Sequence, residues 1–228
     1  MKQMPRILTL LVAALSISAT AFAAPETLNI DAGHSNVGFN VRHFFAKTPG
    51  RFTDYSGTVQ FDPKNLSASS VNVTIQAASI NTAHEKRDGH LKGGDFFEVE
   101  KHPTLTFKST KVYADGGKTA VVQGEKFKID GELTIKGTTK PVTLDATFLG
   151  SGSIAIGGNS MGTVAGFEAV TKINRKDYNI VWNRALDQGG TMLGDDIEIT
   201  LAVEAKTPQA PRPAAPAAAP AAPATDKK

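Results

Sequence analysis

The chain contains no cysteine among its 228 residues. This absence excludes disulfide bonds, a thiol nucleophile and a lipid anchor attached to an N-terminal cysteine. Stability must therefore come from a buried apolar core, and the chain is long enough to form one.

The sequence also lacks the motifs of the common nucleotide-binding and hydrolytic classes. Neither Gly-x-x-x-x-Gly-Lys-Ser/Thr nor Gly-x-Gly-x-x-Gly occurs between a strand and a helix. The run from Gly158 to Gly162 matches the nucleophile elbow Gly-x-Ser-x-Gly, but all five histidines precede Ser160. An elbow needs a helix and a histidine after its serine, so we interpret this glycine-rich run as a hairpin loop.

The histidines do not have the spacing of a metal site. His84 and His90 are six residues apart, so they would not share one face of a helix. His34 and His43 are nine residues apart across a turn, and His-Glu-x-x-His is absent. We therefore predict neither catalytic residues nor metal ligands.

The first 23 residues have the pattern of a secretory signal peptide. Lys2 and Arg6 form a basic region, residues 7–17 are apolar, and Ala21-Phe22-Ala23 is a small-x-small cleavage site. The apolar run is too short for a transmembrane helix, so we expect a mature periplasmic protein that begins at Ala24. Its formal charge falls by two, from +3 to +1, which argues against a nucleic-acid partner.

The C-terminal segment has a different composition from the rest. From about Pro208 the sequence consists mainly of proline and alanine, and it ends in Asp226-Lys227-Lys228. Such a sequence buries little apolar surface, so we expect residues 208–228 to be a disordered or polyproline-like tail. Residues 24–207 are then the folded domain.

Alternation of apolar and polar residues predicts β-strands throughout this domain. In residues 36–43, the side chains of Val37, Phe39, Val41 and His43 point to one face. Similar period-two segments lie at residues 58–61, 71–76, 105–108, 126–130, 132–136, 142–148 and 197–203. Glycine, asparagine, aspartate and proline between these segments predict turns.

One segment predicts a helix. Thr82 and Glu85 have the form of a capping box, which predicts a helix over residues 83–92 that ends at Gly93. A second helical turn is predicted at residues 95–97. Many one-faced strands, a single short helical insert and the absence of a βαβ rhythm indicate an all-β barrel or sandwich.

Several short segments match one family pattern in the same order along the chain. They are His34-Ser35-x-Val37-x-Phe39-x-Val41-x-His43, Gly50-Arg51-Phe52, Phe61-Asp62-Pro63, Arg87-Asp88-x-His90-Leu91, Phe96-Phe97, Pro103, Gly131-x-Leu133-Thr134-Ile135-x-Gly137-x-Thr139-x-Pro141-Val142, Phe167-x-Ala169, Ile173-x-Arg175-x-Asp177-Tyr178 and Gly194-Asp195-x-Ile197. From about Thr27 to Ala205, the chain thus resembles the YceI-like, polyisoprenoid-binding proteins. Tyr178 departs from the pattern, which has phenylalanine there.

The resemblance implies an antiparallel, lipocalin-like up-and-down barrel of about eight strands with a short helical insert. It also implies a carrier, without catalysis or cofactor, for a long isoprenoid or similar amphiphilic lipid such as a polyprenyl phosphate or ubiquinone. Physical chemistry agrees, since an eight-stranded barrel can hold one elongated ligand. About twenty methylene groups left in water would cost ~16 kcal/mol, so such a lipid needs a chaperone.

The inward-facing apolar side chains are the predicted cavity wall. They are Val37, Phe39, Val41, Phe52, Val59, Phe61, Val73, Ile75, Leu91, Phe96, Leu105, Phe107, Leu133, Ile135, Leu144, Phe148, Phe167, Trp182 and Ile199. The candidates for contact with a polar head at the mouth are His34, Arg42, His43, Arg87, Arg175 and Arg184. A buried structural histidine is the simpler interpretation of His43, because it lies on an apolar face.

Two other functions stay open. One is a barrel enzyme acting on a lipid or small apolar substrate, with His34 or His43 as acid or base. The other is a ligand-free, stress-related structural protein with a solid barrel. Transient contact with a membrane and a dimeric state are both compatible with the carrier function.

Overall fold

The computed structural model describes residues 25–208, so the predicted signal peptide and nearly all of the predicted tail lie outside the described residues. The elements are β1 Thr27–Ile30, β2 Asn36–His43, β3 Ala46–Phe52, β4 Tyr55–Gln60, β5 Ser70–Gln76, β6 Ile80–Asn81, α1 Glu85–Lys92, β7 Thr104–Tyr113, β8 Lys126–Ile135, β9 Thr138–Ile156, β10 Asn159–Asn174 and β11 Leu193–Lys206. Within this part of the chain, no helix is both long and apolar enough to cross a membrane.

The strands close into one antiparallel barrel. β1 and β2 together form the first barrel strand, because both pair with β11, while β1 also pairs with β4 and β2 with β3. β3 and β4 form the second strand in the same way, and β5 with the short β6 forms the third. β7 to β11 complete the barrel as five further antiparallel strands. The prediction of an eight-stranded up-and-down barrel with one short helix is confirmed.

Tight turns join the longest strands. Gly157 and Gly158 connect β9 to β10 with φ of 58° and 82°, and Lys136 and Gly137 connect β8 to β9 with φ of 49° and 72°. Positive φ at both central residues is the mark of the turn that matches the twist of a β-hairpin. Ser160 lies in β10 directly after the glycine turn, so this segment does not have the strand-turn-helix form of a nucleophile elbow.

The start of α1 differs from the predicted capping box. His84 is the N-cap, and its Nδ1 accepts a hydrogen bond from the Arg87 N–H at 3.3 Å. Thr82 lies two residues earlier, and its N–H and hydroxyl both donate to the Asp88 carboxylate. Because Asp88 holds Thr82 in this way, Thr82 is not available to cap the helix. The predicted second helical turn at residues 95–97 is a hydrogen-bonded turn without a helix.

The two ends of the barrel are built differently. Four phenylalanine rings fill one end: Phe61 lies 4.9 Å from both Phe148 and Phe167 and 5.6 Å from Phe127, between ring centroids. We call this the closed end. At the other end, the residues between β6 and β7, including α1, and the loop of residues 175–192 lie across the barrel. Any entrance for a ligand is therefore expected at this helical end.

Candidate ligand-binding cavity

The barrel interior contains two adjoining cavities and is not solidly packed. The inner chamber, next to the closed end, has a volume of about 160 Å³, and its wall is mostly valine, leucine, isoleucine and phenylalanine. The outer chamber, next to the helical end, has a volume of about 250 Å³. An apolar cavity of ~150 Å³ is already large enough to bind benzene, so each chamber can hold part of an apolar ligand.

A narrow segment, which we call the neck, separates the chambers. Phe39, Phe52, Ile135 and Ile199 border both chambers. The Phe39 and Phe52 rings are 5.9 Å apart between centroids, and Phe97 packs edge-on against Phe52 at 5.8 Å. These aromatic side chains set the width of the passage along the barrel axis.

Most of the predicted wall residues border a chamber. The inner chamber is bordered by Val37, Phe39, Phe52, Val59, Phe61, Val73, Ile75, Phe107, Leu133, Ile135, Leu144, Phe167 and Ile199. The outer chamber is bordered by Phe39, Val41, Phe52, Leu91, Phe96, Ile135, Trp182 and Ile199. Leu105 and Phe148 are buried but border neither chamber, and Phe148 belongs instead to the phenylalanine cluster of the closed end.

Arg175 acts as a structural residue in the wall of the outer chamber. Its side chain is 4% exposed, and it donates hydrogen bonds to the carbonyls of Ile180, Trp182 and Gly194 at 2.7 to 3.0 Å. A further bond joins it to the Asp195 carboxylate at 3.1 Å. Burial lowers the pKa of Arg175, and the Asp195 charge opposes this shift. Four of its five N–H donors are thus already used to hold the loop against β11.

Arg87 is exposed and is held against the rim of the outer chamber. Its Nε donates to the Thr82 hydroxyl at 2.7 Å, and its Nη2 donates to the Thr82 carbonyl at 2.8 Å. Thr82 in turn bonds Asp88, so the two charged side chains share one buried threonine. This network fixes α1 over the opening.

The remaining predicted head-group residues are spread over the molecule. His43 borders the outer chamber, and its ring contacts the Phe44 ring at 4.3 Å between centroids. Arg42 and Arg184 border neither chamber; both are exposed near the helical end. His34 precedes β2 whereas His43 ends it, so the structure does not bring the two histidines together.

His34 belongs to an ion-pair cluster outside the barrel. Its Nδ1 lies 2.8 Å from the Asp31 carboxylate and 3.7 Å from Glu204, and its side chain is 69% exposed. Lys206 donates to the same Asp31 carboxylate at 2.6 Å. The hydrogen bonds from Lys206 and His34 lower the pKa of Asp31 to about 2, and the bond to Asp31 raises the pKa of His34. The cluster fastens the turn between β1 and β2 to the end of β11.

Among the outer-chamber residues that the sequence analysis missed are His90 and Tyr178. His90 contacts the rings of Phe96 and Trp182 at 5.0 and 4.9 Å between centroids, and its Nε2 lies 2.8 Å from Asp95. Tyr178 also borders the chamber, and its hydroxyl is the only buried side-chain polar atom of residues 25–208 that has no hydrogen-bond partner. Burial raises the pKa of Tyr178 to about 12. Neither residue lies in a period-two strand, so alternation gave no signal for them.

Other chamber residues were missed although a signal existed. Val71, Ile129, Leu201 and Val203 border the inner chamber and continue the inward face of strands that the alternation predicts. Counting every apolar side chain on the inward face of each predicted strand would have found them.

Comparison with known proteins places this barrel in a family. A family model described as the YceI-like domain matches residues 28–205. Protein YceI of Escherichia coli O157:H7 is 42% identical over 176 residues, covering 76% of this chain and 86% of that protein. BcnA of Burkholderia cenocepacia has a similar structure, with a TM-score of 0.62 and 25% identity over 77% of this chain and 98% of BcnA.

A more distant structure shares only the fold. A polyisoprenoid-binding domain from Saccharophagus degradans, implicated in plant cell wall breakdown, has a TM-score of 0.55 and 15% identity over 81% of this chain and 99% of that domain. The family model spans most of the chain, and the curated relative matches it over three quarters of its length. The resemblance inferred from the motifs is therefore confirmed, and this chain belongs to the YceI-like family.

Proposed function

We propose that this protein is a non-enzymatic carrier that holds the hydrocarbon tail of a long isoprenoid or similar amphiphilic lipid inside its barrel. The observation that carries the proposal is the pair of adjoining chambers with mostly apolar walls along the barrel axis. At ~0.8 kcal/mol per buried methylene, transfer of a tail into this interior is strongly favourable. The polyisoprenoid-binding domain with the same fold supports the choice of ligand class.

A carrier agrees better with the side chains than an enzyme does. The enzyme alternative needs a polar partner for His43, and the His43 side chain makes no hydrogen bond to any of residues 25–208. His34 lies outside both chambers and is paired with Asp31. A solid structural barrel also fits poorly, because the interior contains cavities.

The carrier is proposed to work in the periplasm, in the form that begins at Ala24. The basic, apolar and small-x-small segments of the first 23 residues support export. N-terminal sequencing of the protein from a periplasmic fraction tests this, and retention of Met1 in a membrane fraction would contradict it. The lipid classes proposed are polyprenyl phosphates and isoprenoid quinones such as ubiquinone.

The decisive experiment is organic extraction of the purified mature protein followed by mass spectrometry. We expect a co-purifying lipid with one long chain. Delipidated protein is then titrated with ubiquinone or a polyprenyl phosphate in dilute detergent. Trp182 is the only tryptophan and borders the outer chamber, so its fluorescence reports occupancy directly. An empty extract together with unchanged Trp182 fluorescence would overturn the carrier function.

A further inference from the structure

The hairpin between β2 and β3 has an unusual turn. The pairing of His43 with Ala46 leaves only Phe44 and Phe45 as the turn. Phe44 adopts a φ of +51°, a left-handed conformation that bulky side chains rarely adopt and that glycine or asparagine usually provides. Phe45 is 105% exposed, so its ring makes almost no contact with the rest of the chain. A strained turn that presents two aromatic rings to solvent indicates a function that offsets the lost stability.

This tip lies at the rim of the outer chamber. His43 and Met192 border the chamber, and the Phe44 N–H donates to the Met192 carbonyl at 2.9 Å. Val181, which is 64% exposed, neighbours Trp182 in the wall of the same chamber. Because the phenylalanine cluster fills the opposite end, a lipid must pass this rim to enter or leave.

The charges around the tip favour an anionic surface. The six residues from Arg42 to Lys47 contain two cations and no acid. The Arg42 guanidinium donates to the Phe44 carbonyl at 2.8 Å, which holds its charge at the tip, and it has no carboxylate partner among the described residues. Lys47 is paired with Glu198, so Arg42 contributes most of the local positive charge.

A second exposed apolar site provides a contrast. Ile154, Ile156 and Met161 are exposed on the β9–β10 hairpin, beyond the closed end. That hairpin has no lysine or arginine between Lys140 and Lys172 and does not border the outer chamber. This hairpin is therefore exposed and apolar, but it has no nearby lysine or arginine and no access to the chambers.

From these observations we infer that the Phe44–Phe45 tip docks on an anionic lipid bilayer. Both rings enter the boundary between head groups and acyl chains, Arg42 meets the head groups, and the outer chamber opens toward the membrane. The inference rests on the proposed carrier function, and it adds the surface through which the lipid is exchanged. It commits to a membrane as the partner; a second copy of the chain is an outcome that the test distinguishes.

The test is flotation of the mature protein with vesicles of phosphatidylglycerol and phosphatidylethanolamine, compared with vesicles of phosphatidylcholine alone. We expect binding to the anionic vesicles only. Phe45→Asp should lower the partition coefficient by at least about tenfold, since a phenylalanine no longer enters the membrane. The matched control Ile156→Asp should bind as the wild type does. Arg42→Gln should weaken binding to anionic vesicles about fivefold.

Three results would overturn the inference. They are absence of wild-type binding, an equal loss in Phe45→Asp and Ile156→Asp, and conversion of a dimer to a monomer by Phe45→Asp in light scattering.

The Trp182 titration separates failure of the docking from failure of the carrier function. Phe45 borders neither chamber, so Phe45→Asp should keep wild-type affinity for detergent-solubilised ubiquinone. Loaded protein that does not float would overturn only the docking, whereas floating protein with an empty cavity would overturn the carrier.

Discussion

The tip of the Phe39 ring occupies the space that a β-carbon on Gly50 would need. A β-carbon built on Gly50 would lie 2.2 Å from the Phe39 Cζ, because the two residues are paired directly across β2 and β3. Glycine here lets the ring lie down against the barrel wall, which keeps the neck between the chambers open. A second pair, on β7 and β8, repeats the arrangement, since Phe107 lies over Gly131 with a corresponding distance of 2.4 Å.

Gly50→Ala should therefore push the Phe39 ring into the neck. We expect a small loss of stability, because the distal end of one side chain can move, and a large loss of affinity for long-chain ligands that must pass both chambers. A quinone with a short chain, which fits in the outer chamber alone, should bind almost normally. Trp182 fluorescence titrations with quinones of two chain lengths measure the difference.

A double mutant supplies the control for this prediction. In a Phe39→Ala background the ring is absent, so adding Gly50→Ala should have no further effect on long-chain binding. Phe39→Ala alone should destabilise the empty barrel by clearly less than the ~3–5 kcal/mol expected in a solid core, because Phe39 already borders two cavities. Loss of the full core amount with unchanged lipid binding would show that this face packs against protein.

The ion-pair cluster at Asp31 predicts how stability depends on acid. The pKa of Asp31 is lowered to about 2 in the folded chain, so Asp31 binds a proton more readily when the chain is unfolded. Its contribution is present above the ordinary value of 3.8 and is lost as the pH falls toward 2. Asp31→Asn should remove that part of the acid dependence in urea unfolding at a series of pH values. Asp115→Asn, which removes an exposed carboxylate outside this cluster, is the control.

His34 should give the opposite slope at higher pH. Its pKa is raised above 6.5, first by the hydrogen bond to Asp31. Its contribution is therefore present below pH 6.5 and is lost as the pH rises through the folded value. His34→Gln should flatten this region of the curve. An unchanged slope would mean that the exposed ring does not hold its partner in solution.

Local patterns predicted the barrel better than they predicted the site. The alternation at Val37, Phe39 and Val41 gave both the strand and its inward face, because side-chain direction follows from the backbone period alone. Antiparallel meander topology then follows from many such strands with short turns. The position of His34 did not follow, since one histidine precedes β2 and the other ends it, and only closure of the barrel decides which end is the mouth.

Residues outside the strands were harder to predict for a related reason. The sequence predicts Thr82 as an N-cap, but hydrogen bonds with Arg87 and Asp88, on the first turns of α1, use its hydroxyl. The sequence predicts Arg175 as a cation available to a head group, but the loop folds back and surrounds its guanidinium with carbonyls. In both cases long side chains select partners that sequence spacing does not reveal.

Arg175→Gln should destabilise the fold more than it weakens lipid binding. The change leaves the carbonyls of Ile180, Trp182 and Gly194 without their shared donor, and it removes one of the two cations paired with Asp195, the other being Lys176. A buried carbonyl left without a donor costs about 1–3 kcal/mol, so the loss of this shared donor should lower the free energy of unfolding by at least that amount. Urea unfolding measures the loss, and Arg184→Gln, an exposed residue of the same loop, is the control with little expected change. A normally stable Arg175→Gln protein with weak lipid binding would instead make Arg175 a head-group residue.

Tyr178→Phe should stabilise the empty barrel. The Tyr178 side chain is 1% exposed and its hydroxyl has no hydrogen-bond partner among residues 25–208, so the hydroxyl is desolvated without compensation. An unpaired buried polar group costs about 1–3 kcal/mol, and removing the oxygen should recover roughly 1 kcal/mol of that. Phenylalanine, which the family pattern has at this position, keeps the ring and its packing. Urea unfolding of delipidated protein measures the change.

Tyr113→Phe is the matched control for this substitution. The Tyr113 hydroxyl donates to Asp130 at 3.4 Å near the closed end, so removing it should give no gain in the free energy of unfolding. Comparing the two variants separates the effect of an unpaired hydroxyl from the general effect of replacing tyrosine by phenylalanine. If Tyr178→Phe lowers stability while Tyr113→Phe does not, the Tyr178 hydroxyl has a partner in solution. An ordered water molecule in the outer chamber would then be that partner, because the Tyr178 side chain borders this chamber.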